Sequence, residues 1–144
     1  MPETLHLSAF AYDILKRSVG TCLPESGAVI GAPMDGDETH ITHARFDTDA
    51  GWGKDFYAPS EEIGRVLCQW ARDRIRFLGI VHSHGDNLPN QLSGIDLRSA
   101  AAIMRNNNLP FLYMGLFWRR ELSMYRVLPD GSAEKMHFIV DPEN

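Results

Sequence analysis

The sequence predicts an α+β fold on a curved, mixed β-sheet, and two observations carry that prediction. Several short apolar segments bounded by Gly, Pro and Asp read as strands, and helices do not separate them regularly, as a doubly wound parallel sheet would require. Between them lie runs with apolar residues at helical spacing, each with a start or stop signal. The 144 residues contain no Pro/Gly/Ser linker, so one domain over 1–144 is expected. Hydrophobic residues make up 44% and charged residues 23%, the composition of a folded chain rather than a disordered one.

The elements follow in order. Over 8–19, Ala9, Tyr12, Ile14, Leu15 and Val19 share helical spacing behind a Ser8 cap, and Gly20 ends the helix. The apolar segment 25–31 lies between Pro24 and Pro33, and the turn chemistry of Asp35-Gly36-Asp37-Glu38 leads into alternation over 39–46, which predicts a hairpin. Pro59-Ser60-Glu61-Glu62 opens a second helix with an apolar stripe of Ile63, Val66, Leu67, Trp70 and Ile75. Its acids stand first and its arginines (Arg72, Arg74, Arg76) last, as the helix dipole favours. Residues 77–82 read as a buried strand, and 83–92 as a polar loop. Ser93-Gly94-Ile95-Asp96 has the form of a capping box, ahead of a face formed by Leu97, Ala100, Ala101 and Met104. Two strands, 111–118 and 121–128, flank a tight Arg119-Arg120 connection, and 135–140 adds another.

Charge and cysteine content exclude several functions. Fourteen basic against nineteen acidic residues give a net charge of −5, and no Lys/Arg run tracks a phosphate backbone, so nucleic acid is not an expected partner. Cys22 and Cys68 form no CxxC and no disulfide framework, which fits a reducing cytoplasm. The N-terminal stretch lacks the pattern of a secretory signal, and nowhere do 18 apolar residues run together. Secretion and membrane spanning are therefore not expected.

His82-Ser83-His84 carries the chemistry. In an extended chain, positions i and i+2 point to one side, so both imidazoles can meet one metal ion. A loop that folds back brings the Asp96 carboxylate to them. Two histidine nitrogens and one carboxylate oxygen leave zinc an open fourth position, which is how catalytic zinc sites are built. Hydrolysis also needs a base to take the proton of water and return it to the leaving amine, and Glu25, at the start of an apolar strand, is the candidate. Ser93 is placed to donate a hydrogen bond to the oxyanion that develops on the attacked carbonyl.

Glu25-Ser26-Gly27-Ala28-Val29-Ile30-Gly31, then His82-Ser83-His84, then Ser93-Gly94-Ile95-Asp96 resembles the JAMM motif of the MPN/JAB metalloprotease family. The resemblance runs over about residues 20–120 in ordered sequence. It implies His82, His84 and Asp96 as ligands of one zinc ion per chain, Glu25 as general acid/base and Ser93 as oxyanion stabiliser. It also implies the family fold, a curved mixed sheet packed between helices, of the cytidine-deaminase-like kind. Family members cleave isopeptide or peptide bonds at the C-terminus of ubiquitin or ubiquitin-like proteins, and bacterial stand-alone relatives act on ubiquitin-like or sulfur-carrier proteins. A ubiquitin-like or sulfur-carrier tail is the substrate the resemblance implies. Two departures are visible: eight residues lie between His84 and Ser93 where seven are usual, and Gly85 stands where proline often follows.

Other readings stand beside this one. Relatives of the MPN domain that have lost the metal act as protein-binding scaffolds, but here every candidate position is intact. His82-Ser83-His84-Gly85-Asp86-Asn87 approaches the HxHxDH of metallo-β-lactamase-like hydrolases and fails at Asn87, while neither HxE nor PCxxC of a zinc deaminase is present. His40 and His43, three apart, face opposite sides of an alternating strand and read as surface residues. Cys22 reads as a small buried hydrophobe. Trp52, Phe56 and Tyr57 suit either an aromatic wall for an extended peptide or core packing.

Overall fold

The computed structural model describes residues 3–21, 25–50 and 57–143. Strand β1 (Leu5–Leu7) comes first and buries both leucines. Helix α1 (Ala9–Arg17) follows, with Ser8 Oγ accepting from Ala11 N as the expected cap. Strand β2 (Gly27–Pro33) is buried through six of its seven residues, as befits a central strand. Strands β3 (His40–Ile41) and β4 (His43–Phe46) divide the predicted 39–46 strand in two. Helix α2 (Glu61–Arg72) buries Ile63, Val66 and Trp70, each contributing about 1.5–3 kcal/mol of burial free energy.

Strand β5 (Ile75–His84) is longer than expected at both ends. Ile75 belongs to it and not to the preceding helix, because Arg74 takes a positive φ of 59° that stops helical propagation after Asp73. At the other end, Ser83 and His84 belong to the strand and not to the loop, since they pair with Phe117 and Trp118. Helix α3 (Gly94–Asn107) closes on Asn108 in the left-handed conformation. Strands β6 (Leu112–Trp118) and β7 (Glu121–Val127) form the predicted tight hairpin, and β8 (Ala133–Met136) and β9 (Phe138–Val140) split the last expected strand.

Six strands form one mixed sheet in the order β4-β2-β5-β6-β7-β8, with β5 and β6 parallel across the α3 connection and the other pairs antiparallel. A smaller parallel sheet, β3-β1-β9, joins the two ends of the chain. The large sheet buries both faces. Ala28, Ile30, Val81 and Phe117 pack on one side with Leu5 and Leu7 of β1 and with Leu15 of α1. On the other side Val29 and Ile80 pack with α2, and Leu112, Met114 and Val127 pack with Ala100 and Met104 of α3. The sheet therefore lies between helices, with α2 and α3 on the face towards which His82 points two residues beyond Ile80. Close approach of β5 and β6 needs Gly79, where a Cβ would fall 2.0 Å from the Tyr113 carbonyl oxygen.

Candidate metal centre

The chain folds at three places to build the centre. The end of β5 supplies two histidines on one side, their rings 5.1 Å apart between centroids and inclined by 72°. Ser83 between them points elsewhere, and its Oγ accepts from Ser26 N at 3.1 Å while its own N–H donates to Ser26 O. That exchange fixes the entrance to β2, and with it Glu25. The first turn of α3 supplies Asp96 through the capping box: Asp96 N donates to Ser93 Oγ at 3.1 Å, and Ser93 N donates to Asp96 Oδ2 at 2.8 Å.

These pieces converge. Asp96 Oδ2 lies 3.2 Å from Nε2 of His82 and 3.2 Å from Nε2 of His84. Four ligands held tetrahedrally at about 2.0–2.1 Å stand about 3.3 Å from one another, so Asp96 Oδ2 already stands from each histidine nitrogen at about the edge length of such a metal site. His82, His84 and Asp96 are 1%, 6% and 5% exposed, which makes chance surface clustering a poor account of them. His84 Nδ1 lies 3.1 Å from the Pro89 carbonyl, which can only accept. The proton therefore sits on Nδ1, and the Nε2 lone pair turns toward the centre, the arrangement metal-ligating histidines use. Both nitrogens of His82 are out of solvent and neither makes a hydrogen bond of good geometry among the described residues, the nearest group being the Asp96 carboxylate 3.2 Å from Nε2. A metal on one of them removes that cost. The three residues fit a metal ion.

Electrostatics agree. Burial pushes the Asp96 carboxyl up, but His82 and His84 beside it and the Ser93 N–H outweigh this and hold it well below the usual carboxylate range. For His84, burial favours the neutral ring. The Asp96 bond, the Pro89 bond and the charges of Asp96 and Glu25 prevail, and its pKa lies above the ordinary value. Glu25 is 3% exposed with both carboxylate oxygens out of solvent, close enough for its charge to act on His84. All five residues singled out from the sequence thus meet at one end of β5.

The loop over 85–92 is tied down at two points, by His84 on the Pro89 carbonyl and by Trp118 Nε1 donating to Leu88 O at 2.8 Å. Tyr57 is 7% exposed and packs in the core with α2, its hydroxyl donating to Asp47 Oδ2 at 2.8 Å. Burial, then the Asp47 bond and charge, raise its pKa. Trp52 and Phe56 lie outside the described residues, as does Cys22. Cys68 is free and exposed.

Sequence reading missed a second donor group, His6, His40 and Asp141. His40 is exposed as expected, but it stacks on His6 at 4.3 Å with the rings 4° from parallel, while His6 Nδ1 lies 2.9 Å from Asp141 Oδ1. Parallel stacked rings aim their lone pairs side by side and not at one point, so this group is less suited to a metal than the buried one. No local signal announces it, since His6 and Asp141 are 135 residues apart.

Among the described residues no helix is long and apolar enough to cross a membrane. No family model matches the chain, and no curated protein does. Solved structures do share its fold. Protein DSY2949 from Desulfitobacterium hafniense, solved in solution, aligns with a TM-score of 0.69 at 18% identity, over 97% of this chain and 94% of that one. A protein from Salinibacter ruber aligns with a TM-score of 0.60 at 17% identity, over 96% and 94%. At such identities the likeness establishes a shared architecture and no more.

Proposed function

We propose that the chain is a zinc-dependent metallopeptidase of the JAMM type, with the MPN/JAB fold, acting on a peptide or isopeptide bond at the tail of a ubiquitin-like or sulfur-carrier protein. The observation that carries the reading is the buried meeting of His82, His84 and Asp96 at 3.2 Å spacings, with Glu25 buried beside it. The buried centre supports the enzyme reading, and the substrate class comes from the family resemblance.

His82 and His84 through ring nitrogens, and Asp96 through its carboxylate, would hold the ion. When bound, zinc supplies Lewis-acid polarisation of a carbonyl and lowers the pKa of a water toward about 7. Glu25 would take a proton from the attacking water and return it to the departing amine, and its burial would keep bulk solvent from competing for the proton. Ser93 Oγ accepts from Asp96 N, so its own hydrogen is left to donate to the oxygen of the attacked carbonyl. Capping and oxyanion stabilisation are therefore compatible in one side chain.

The test is metal content by mass spectrometry, followed by hydrolysis of ubiquitin-like C-terminal adducts. Wild type should carry about one zinc per chain, His82→Ala/His84→Ala none, and Glu25→Gln full zinc without hydrolysis. Absence of zinc after reconstitution would leave a protein-binding scaffold as the better reading. Zinc with undiminished activity in Glu25→Gln would refute the role given to the base.

A further inference from the structure

We propose that the cavity between the Arg119-Arg120 turn and the end of β5 is a carboxylate-binding subsite that holds an acidic group of the substrate beside the bond that is cut. Its place in catalysis rests on the metallopeptidase reading, but its binding chemistry does not.

The cavity, about 310 Å³, opens against His84 and is lined by Thr21, Asp86, Phe117, Arg119 and Arg120 among others. His82 and Asp96 instead line a narrow cleft of about 10 Å³ with Ile95 and Met114. The centre thus has one roomy flank and one tight flank, and both arginines stand on the roomy one.

The turn itself is an unusual place for two arginines. Trp118 pairs with Glu121 across a two-residue loop, and Arg119 and Arg120 take φ of 50° and 68°. This is the mirror-image hairpin turn, which asks for positive φ at both positions and prefers Asn-Gly. Two side chains with a Cβ are strained there, and such strain is a reason to ask what the side chains do. Arg119 is pre-positioned: its guanidinium sits 4.2 Å over the Trp118 ring and its Nε lies 3.6 Å from Asp86 Oδ1. Arg120 has no ion pair among the described residues. With Asp86 matched to Arg119, one positive charge of the cavity is left over, in a chain of net charge −5.

A guanidinium fork matches a carboxylate through two parallel hydrogen bonds, which is why carboxylate is the ligand class assigned. The carboxylate has two possible sources, the free C-terminus of the substrate or an Asp/Glu side chain, and the probes separate them. Acetyl-Gly-Gly-Ala, its C-terminal amide and acetyl-Gly-Gly-Glu-amide are titrated by NMR into metal-free and zinc-loaded full-length protein. The comparison protein is Arg119→Asn/Arg120→Gly, which removes both guanidinium groups while installing the residues the turn prefers, so the hairpin is kept.

The expected result is binding of the free acid, the Glu peptide or both about tenfold more tightly than the neutral amide in metal-free wild type, and loss of that preference in the turn variant. Preference for the free acid alone names the C-terminal carboxylate; preference for the Glu peptide alone names the side chain. Preference without any zinc uptake keeps the subsite and sinks the metallopeptidase reading. Zinc uptake with equal binding of all three peptides, no binding of any of them, or a preference that survives in the turn variant overturns the subsite.

Discussion

Replacing Gly27 by alanine tests whether the candidate centre is set by the fit between β2 and the segment that carries Tyr57. A Cβ at Gly27 falls 2.4 Å from Cε2 and Cζ of Tyr57, well inside the carbon–carbon optimum of about 3.5–4.0 Å. The ring cannot swing aside cheaply, because its hydroxyl is bonded to the buried Asp47 at 2.8 Å. If the strand moves instead, His82 moves with it, since Gly27 and His82 are register partners. Overpacking costs about 1–3 kcal/mol, and a lost hydrogen bond to a charged acceptor about 1.5–3 kcal/mol. Together they give about 3–5 kcal/mol, and at about 3 °C per kcal/mol for a chain of this size the Tm should fall by about 10–15 °C. Gly64→Ala is the internal control. That position lies within α2 with nothing inside 4 Å of an added Cβ, so the same substitution should gain about 0.5–1 kcal/mol. Thermal melts by circular dichroism in EDTA measure both. A Gly27→Ala variant that melts within about 2 °C of wild type refutes the steric argument.

Ser93→Ala removes an α3 cap and, on the proposed reading, an oxyanion donor: about 1 kcal/mol of stability should be lost in urea titrations, and kcat should fall by about 10²-fold while zinc content is unchanged. Because the His84 pKa is raised in the fold, its interaction stabilises the metal-free protein fully below about pH 6.5 and is lost as pH rises through the folded value. The urea midpoint in EDTA should therefore have a His84 component that falls from pH 6 to pH 8.5. Added zinc should stabilise more at the higher pH, because binding requires the neutral ring; equal zinc stabilisation at both values would count against His84 as a ligand. His82→Leu should lose all stabilisation by zinc and should melt below wild type in EDTA, since it takes away the imidazole whose Nε2 lies 3.2 Å from the buried Asp96 carboxylate and helps hold it ionised.

The site was more legible in the sequence than the sheet that carries it. His82 and His84 stand in i, i+2 spacing at an apolar strand end, and Ser93-x-x-Asp96 announces its own cap, so strand period and capping chemistry placed three candidate ligands from local pattern. Glu25 was legible only through the resemblance and its place at the start of an apolar segment. What failed were features set by distant partners. β1 is three residues long and is a strand because β3 and β9 flank it in parallel, which no local pattern encodes. The split of 39–46 has the same cause: His40 and Ile41 pair with β1, while His43 to Phe46 pair with β2. Ile75 suited both the apolar stripe of α2 and the first position of β5, and the positive φ of Arg74 decides for the strand.

Asp96 explains why the centre is formed before any ion arrives. Its carboxylate would serve as a ligand, but it also closes the capping box of α3 and lies at a helix N-terminus, where an anion is favoured. The helix therefore holds the acid in place for its own stability, and the two histidines come to it on a strand whose register is fixed by β2 and β6. In the metal-free protein the two imidazoles at 3.2 Å already hold the Asp96 carboxylate in its charged form, so the cluster contributes to stability before an ion binds. Stability and metal binding then make the same demand at His82 and at Asp96. A His82 variant and an Asp96 variant that each lose zinc as well as stability would together identify a centre pre-built for an ion, whereas variants that lose stability and are still stabilised by zinc would identify a polar core cluster.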